Sequence, residues 1–349
     1  VGAVDMTVRD GIGLHTETLE SRNGGKTITI AGAAGEDGAY RTADGTGIAI
    51  EQINSNGETS ASDEAVEIGS DYTIKAEVNN KGHGTGVLVN TKKSATVNAK
   101  IRDLNVGVLV KEAESLTVGE ANEQADITVA GKDAAGIRLD GRELCELAVN
   151  GNIRSISGTA VDLSTQSGEA SKAIGSISLA GNIAGDVAGL DLSGSKLESE
   201  LAVKKDSIIS GGVGVNLTDA KIAGKVNIAG TVESTAQDGA ALLLSGASVP
   251  GDNSRIEIEN IGTITNTHES ATDETAVVFG AGMTAGVSFT NRGLVNGSVV
   301  FSNASGSNVG HIVTVAGRSS ITGNVETSTG DDSGAIKSFQ VRERTCRSR

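Results

Sequence analysis

The chain has 349 residues, of which 48 are glycine and one, Pro250, is proline; there is no tryptophan, and aromatic rings come from two Tyr and four Phe. Lys and Arg number 29 against 44 Asp and Glu, a formal net charge of −15. This excludes an ordinary aromatic-rich core, a bundle of helices, in which each interior glycine costs about 1 kcal/mol, and a surface built for phosphate backbones.

Other classes fall as quickly. No apolar run of about 18 residues is present, so no transmembrane helix is expected. Val1 is not followed by a charged and then apolar leader, so any signal peptide is expected to be missing or already removed. Glycine has no three-residue period, which excludes collagen. Regularly spaced Ile, Val and Leu argue against disorder. Cys145 and Cys346 do not make a disulfide framework.

Residues 1–27 are weakly patterned, with Met6 and Val8 alternating, and read as an N-terminal cap or first coil. From 28 to 325 two short elements recur. The first is a small residue, an aliphatic, any residue, and an aliphatic. It reads Gly47-Ile48-Ala49-Ile50, Gly86-Val87-Leu88-Val89, Gly107-Val108-Leu109-Val110 and Gly136-Ile137-Arg138-Leu139. It continues as Ala160-Val161-Asp162-Leu163, Gly189-Leu190-Asp191-Leu192, Gly214-Val215-Asn216-Leu217, Ala241-Leu242-Leu243-Leu244 and Ala276-Val277-Val278-Phe279. The copies average about 29 residues apart, within the range of repeat architectures. The second element alternates aliphatics up to a glycine. Its clearest copies are Leu147 to Ile153, Ile177 to Ile183 and Val226 to Val232. Shorter copies are Ile28 to Gly32 and Ile127 to Gly131, and Ile256 to Ile264 and Val313 to Ile321 carry insertions. Two acidic stretches, Ser55 to Asp71 and Thr267 to Glu274, read as protruding loops. Residues 326–349 read as a polar loop followed by a basic, disordered or appended tail.

Alternation over three to five residues is the period of a strand with one buried face. Glycine supplies a bend or a close approach at the corners. Strands this short are stable only when stacked, each coil on the next, through parallel ladders. The fold class is therefore all-β, a right-handed parallel β-helix of roughly a dozen coils. Its narrow interior suits Val, Ile, Leu and Ala and has no need of large rings. The competing all-β reading is a sandwich, with Asn23-Gly24 and Asn296-Gly297 as hairpin turns.

Gly-, Ser-, Thr- and Asn-rich aliphatic repeats, near absence of Cys, and motifs such as Asn260-Ile261-Gly262-Thr263-Ile264 and Asn291-Arg292-Gly293-Leu294-Val295 resemble the passenger domains of autotransporters. These are type V secreted proteins of Gram-negative bacteria. The resemblance covers most of the chain and is one of style. It implies surface display, adhesion to a host surface or matrix ligand or association with another copy, and a membrane link only through a C-terminal barrel that is absent here.

Candidate sites are few. His83-Gly84-Thr85 is similar to the His segment of subtilisin-like proteases, but the matching Ser-Pro segment is absent. Asp331-Asp332-Ser333-Gly334 is an interrupted version of another protease motif and reads as a solvated turn. His15, His83, His268 and His311 share no ligand spacing, so no metal or cofactor is expected. The outward positions of the first element make one column. Arg138, Asp162, Asp191 and Asn216 form a polar stretch that could bind a ligand or, through Asp162 and Asp191, cleave a polysaccharide. Leu88 and Leu109 near one end, with Leu243 and Val278 near the other, form a candidate contact patch. The column lacks the aromatics of sugar clefts. The expected function is thus non-enzymatic adhesion or self-association; a polysaccharide-active enzyme and a passive spacer are the alternatives.

Overall fold

A computed structural model describes residues 5–17, 26–34, 40–120, 125–251, 255–268, 275–302, 310–327 and 336–342. Apart from one 3-10 turn, Val78–Asn80, every regular element among them is a strand. Each coil has three faces. Lys100–Leu104 lies on the first face, and Val106–Val118 then bends through the second and third. The next coil repeats the order with Asp126–Val129, Ala135–Leu139 and Glu143–Val149. All these pairings are parallel, because each strand meets its equivalent one full coil later. The protein is a parallel β-helix.

The chain divides into two compact units. The first comprises Val1–Leu163 and Ala180–Val187, the second Ser164–Leu179 and Ala188–Arg349. Among the described residues, the first face has seven strands in the first unit, from Asp5–Val8 to Asn182–Gly185. In the second unit it has five, from Ile208–Gly211 to Ser320–Ile321.

The recurring small-aliphatic-any-aliphatic element is the second face, and its copies are in register. Val87 stands beside Ile48 and Val108, and Val108 beside Ile137, which stands beside Val161. In the second unit Leu190, Val215, Leu242 and Val277 follow one another in the same way. These side chains are almost wholly buried. The in-out-in pattern turns two of every three residues inward, which is how a coil only a few side chains wide is filled.

The glycine element divides into two. Leu147 to Ile153, Ile177 to Ile183 and Val226 to Val232 start on the third face and turn onto the first. The shorter copies at Ile28 to Gly32 and Ile127 to Gly131 lie on the first face and lead towards the second. Alternation ending in glycine suits either corner, so the pattern alone does not separate them. The corner glycines Gly151, Gly230, Gly262 and Gly293 are not in the left-handed region. They are small because the neighbouring rung's backbone passes where a Cβ would sit; for Gly151 that is the Ala125 carbonyl, 2.5 Å away.

Several expected loops differ. In the Ser55 to Asp71 stretch a short antiparallel hairpin, Gln52–Ile53 with Thr59–Ser60, precedes Val66–Ile68, a third-face strand with buried Val66 and Ile68. Val66-x-Ile68 has the alternation of every other strand, and the acidic residues around it hid it. Residues 326–349, read as loop and tail, contain Ile336–Arg342, paired in parallel with His311–Ala316. Val325–Thr327 is a second-face strand. Asn296-Gly297 is a corner between strands of two faces rather than a hairpin turn. Asn23-Gly24, Glu269 to Glu274, and Thr345 with Cys346 lie outside the described residues. Large rings do enter the interior: Phe279, Phe289 and Phe301 are wholly buried in the second unit, and Tyr72 is buried in the first.

Candidate functional site

The second face presents one outward residue between two inward ones, so within each unit its outward residues form a file. In the first unit Arg138 and Asp162 are neighbours in that file. Arg138 Nε donates to Asp162 Oδ2 at 3.3 Å, and its other end donates to the Asp133 carbonyl. The pair is partly screened from water, with side chains 30% and 19% exposed. In the second unit Asp191 stands beside Asn216. Asn216 Nδ2 donates to Asp191 Oδ1 at 3.1 Å, and the Ser193 amide donates to the same oxygen at 2.9 Å. Asn216 Oδ1 in turn accepts from the Thr218 amide and hydroxyl. Each carboxylate is thus held by a fixed donor in its own unit.

The aliphatic members of the file separate. Leu88, between Ala49 and Leu109, is buried, and Leu109 is half-buried. In the second unit Leu243, Val278 and Val300 stand on successive rungs and are half-buried like Leu109.

The histidines are placed separately. His15 Nε2 lies 3.4 Å from the buried Glu51, and His83 Nδ1 lies 3.1 Å from Asp44. Among the described residues no three His, Cys, Asp or Glu side chains come close enough to hold a metal. His311 is wholly buried beside the rings of Phe279 and Phe301. Its Nδ1 accepts from the Val287 amide at 3.2 Å, and its Nε2 lies 3.2 Å from the Ser302 carbonyl, which only an N–H can satisfy. This is the neutral ring. Burial pushes its pKa below the ordinary value of 6.5, and the charge of nearby Arg255 acts in the same direction, against the Ser302 bond.

That shift has a sign in stability. The unfolded chain takes up a proton on His311 before the folded chain does. The contribution of the neutral ring is therefore intact above about pH 6.5 and is lost as pH falls below it. The second unit should melt at a lower temperature at pH 5.5 than at pH 7.5. His311→Gln should flatten that difference, and an unchanged pH dependence in the variant would refute the assignment.

Two features went unseen in the sequence. One is an asparagine ladder: buried Asn260 donates to Asn291 Oδ1 at 2.8 Å, and Asn291 donates to the Ser320 carbonyl at 3.0 Å. Asparagine at an inward position breaks the apolar signal, and only register shows that it stacks on itself. The other is a shallow polar groove of about 300 Å³ on the third face of the second unit, lined by residues such as Lys225, Asn227, Glu257 and Thr290. At its margin Arg292 Nε donates to Glu259 at 2.7 Å. These charges sit at ordinary outward positions, and Arg292 and Glu259 are 33 residues apart in the chain.

Compared with known protein families, with characterised proteins and with solved structures, the chain matches none. The fold and the local geometry therefore carry the functional reading.

Proposed function

We propose that the chain is a passenger of the autotransporter kind, displayed at the surface of a Gram-negative bacterium, where it acts without catalysis by adhesion or self-association. The half-buried, outward-facing file Leu243, Val278 and Val300, aliphatic on three successive rungs, carries this reading. Aliphatic side chains on consecutive rungs make a straight apolar strip, and such a strip gains most by being covered. The engaged state of Asp162 and Asp191 favours a binding surface over a hydrolytic pair. Single-file geometry suits contact with another extended surface, including a second copy.

Sedimentation over a concentration series tests the self-association arm. The wild-type chain should show mass rising with concentration. The double variant Leu243→Glu, Val278→Glu should remain monomeric while keeping its β circular-dichroism spectrum, since both positions face outward. A wild-type chain that is monomeric throughout removes self-association and leaves adhesion to a host ligand.

A further inference from the structure

The first face of the first unit carries charge of the opposite sign to the chain as a whole. Register places Lys75 beside Arg102, Arg102 beside Thr128, and Thr128 beside Arg154, in one outward file. In the adjacent file Lys100 stands between Thr73 and Asp126. Asp126 is the one carboxylate among these positions, and it is taken up. Arg102 grips it with both terminal nitrogens, which holds the Asp126 carboxyl below the usual carboxylate range. Lys100 adds to that effect. The nearest corner acids are also engaged: Asp103 pairs with Lys81 at 2.8 Å, and Glu77 accepts the Tyr40 hydroxyl at 2.7 Å. Lys75, Lys100 and Arg154 are exposed and make no ion pair among the described residues. Rungs lie about 4.8 Å apart, so the file from Lys75 to Arg154 spans about 14 Å in a straight line.

We propose that this strip binds a linear sulfated polysaccharide of the heparin class, laid along the file. The exposed cations Lys75, Lys100 and Arg154, set out along three rungs, match a linear polyanion better than a single small anion. The Arg154 fork suits sulfate oxygens; Thr128 stands between Arg102 and Arg154 in the file, and Thr73 stands beside Lys100. A net charge of −15 repels anions at long range, so binding here depends on several cations of the strip acting together at short range. Charge pairing needs no aromatic platform, which the strip lacks and which bound bases would require. A flat strip one or two files wide also touches few phosphates of a rounded duplex. The inference holds whether or not the chain is displayed on a cell.

The test uses the whole chain and a fluorescent heparin oligosaccharide, titrated from 50 to about 300 mM salt, since polyanion binding weakens steeply across this range. Binding should be saturable at low salt. Lys75→Ala with Arg154→Ala should weaken it at least tenfold and lower the salt slope by about two, one for each cation removed. Lys204→Ala with Lys205→Ala changes the net charge equally in the second unit and should leave binding unaltered. Circular dichroism of each variant checks the fold; both substituted strip residues are solvent-facing. No binding at 50 mM salt overturns the proposal. So does equal weakening in the control variant, or equal affinity for duplex DNA or for unsulfated hyaluronan.

Discussion

Truncating Phe279 to alanine will destabilise the second unit by about 3–5 kcal/mol, the usual range for a ring removed from a closed core. Phe279 lies directly beside Phe301 in the second-face ladder, with ring centroids 4.8 Å apart. Phe289 approaches from the third face at 5.9 Å, and the His311 ring stacks at 6.1 Å. One side chain thus supports contacts to three strands besides its own. A coil of aliphatics cannot relax into the space left by a ring, because each rung is pinned by ladder bonds on both sides. The loss should also be local, since in a stacked repeat each rung answers chiefly to its neighbours. Hydrogen exchange should accelerate first in Gly286–Asn291, Ser298–Phe301 and His311–Ala316. Val278→Ala, one residue away but only half-buried, should cost less than about 1 kcal/mol. Urea midpoints for the two variants decide the matter. A Phe279→Ala cost below about 1 kcal/mol would mean that the rings are not a packed cluster.

The same cluster marks what could and could not be read from residues alone. The second face was legible because every copy carries a small residue and then the in-out-in alternation. That pattern survives changes in repeat length, since insertions fall between strands. From it the neighbour relation of Arg138 and Asp162 follows, although 24 residues separate them. What those side chains do with their hydrogen bonds does not follow, because rotamer and donor geometry are set in three dimensions. Phe279 looked like one more aliphatic position. Its meaning appeared only when Phe289, Phe301 and His311, from three other strands, closed around it. Asn260 and Asn291 open two recurring motifs, but their pairing was not legible for a related reason: a buried amide is tolerable only when the next rung offers a partner. Lys75, Arg102 and Arg154 are spread over 80 residues of a strongly acidic chain. Only the ladder turns them into a strip.

Gly136→Val will be among the most damaging substitutions in the first unit, although Gly136 has neither a positive φ nor a place in a turn. A Cβ built there would lie deep inside the van der Waals radius of Ile153 Cγ2 and 2.7 Å from the Ala160 carbonyl. The same relation recurs along the file. A Cβ on Gly86 would meet Ile101 Cγ2 at 2.9 Å, and one on Gly107 would meet Ile127 Cγ2 at 2.6 Å. The small residue that opens each copy of the element is therefore a seat for an aliphatic from the first face of the next coil. Alanine occupies the equivalent position at Ala160, so the seat has some tolerance. Gly136→Ala should cost about 1–3 kcal/mol, the usual range for overpacking, and Gly136→Val more. If the clash with Ile153 is the cause, adding Ile153→Ala must help. That change alone opens a cavity and should cost about 2–5 kcal/mol. In the double variant the new valine occupies the space the isoleucine left, so the combined cost should fall well short of the sum. Simple additivity in urea denaturation would place the damage elsewhere, in the backbone contact with Ala160, and would show that the file of glycines serves the ladder rather than the core.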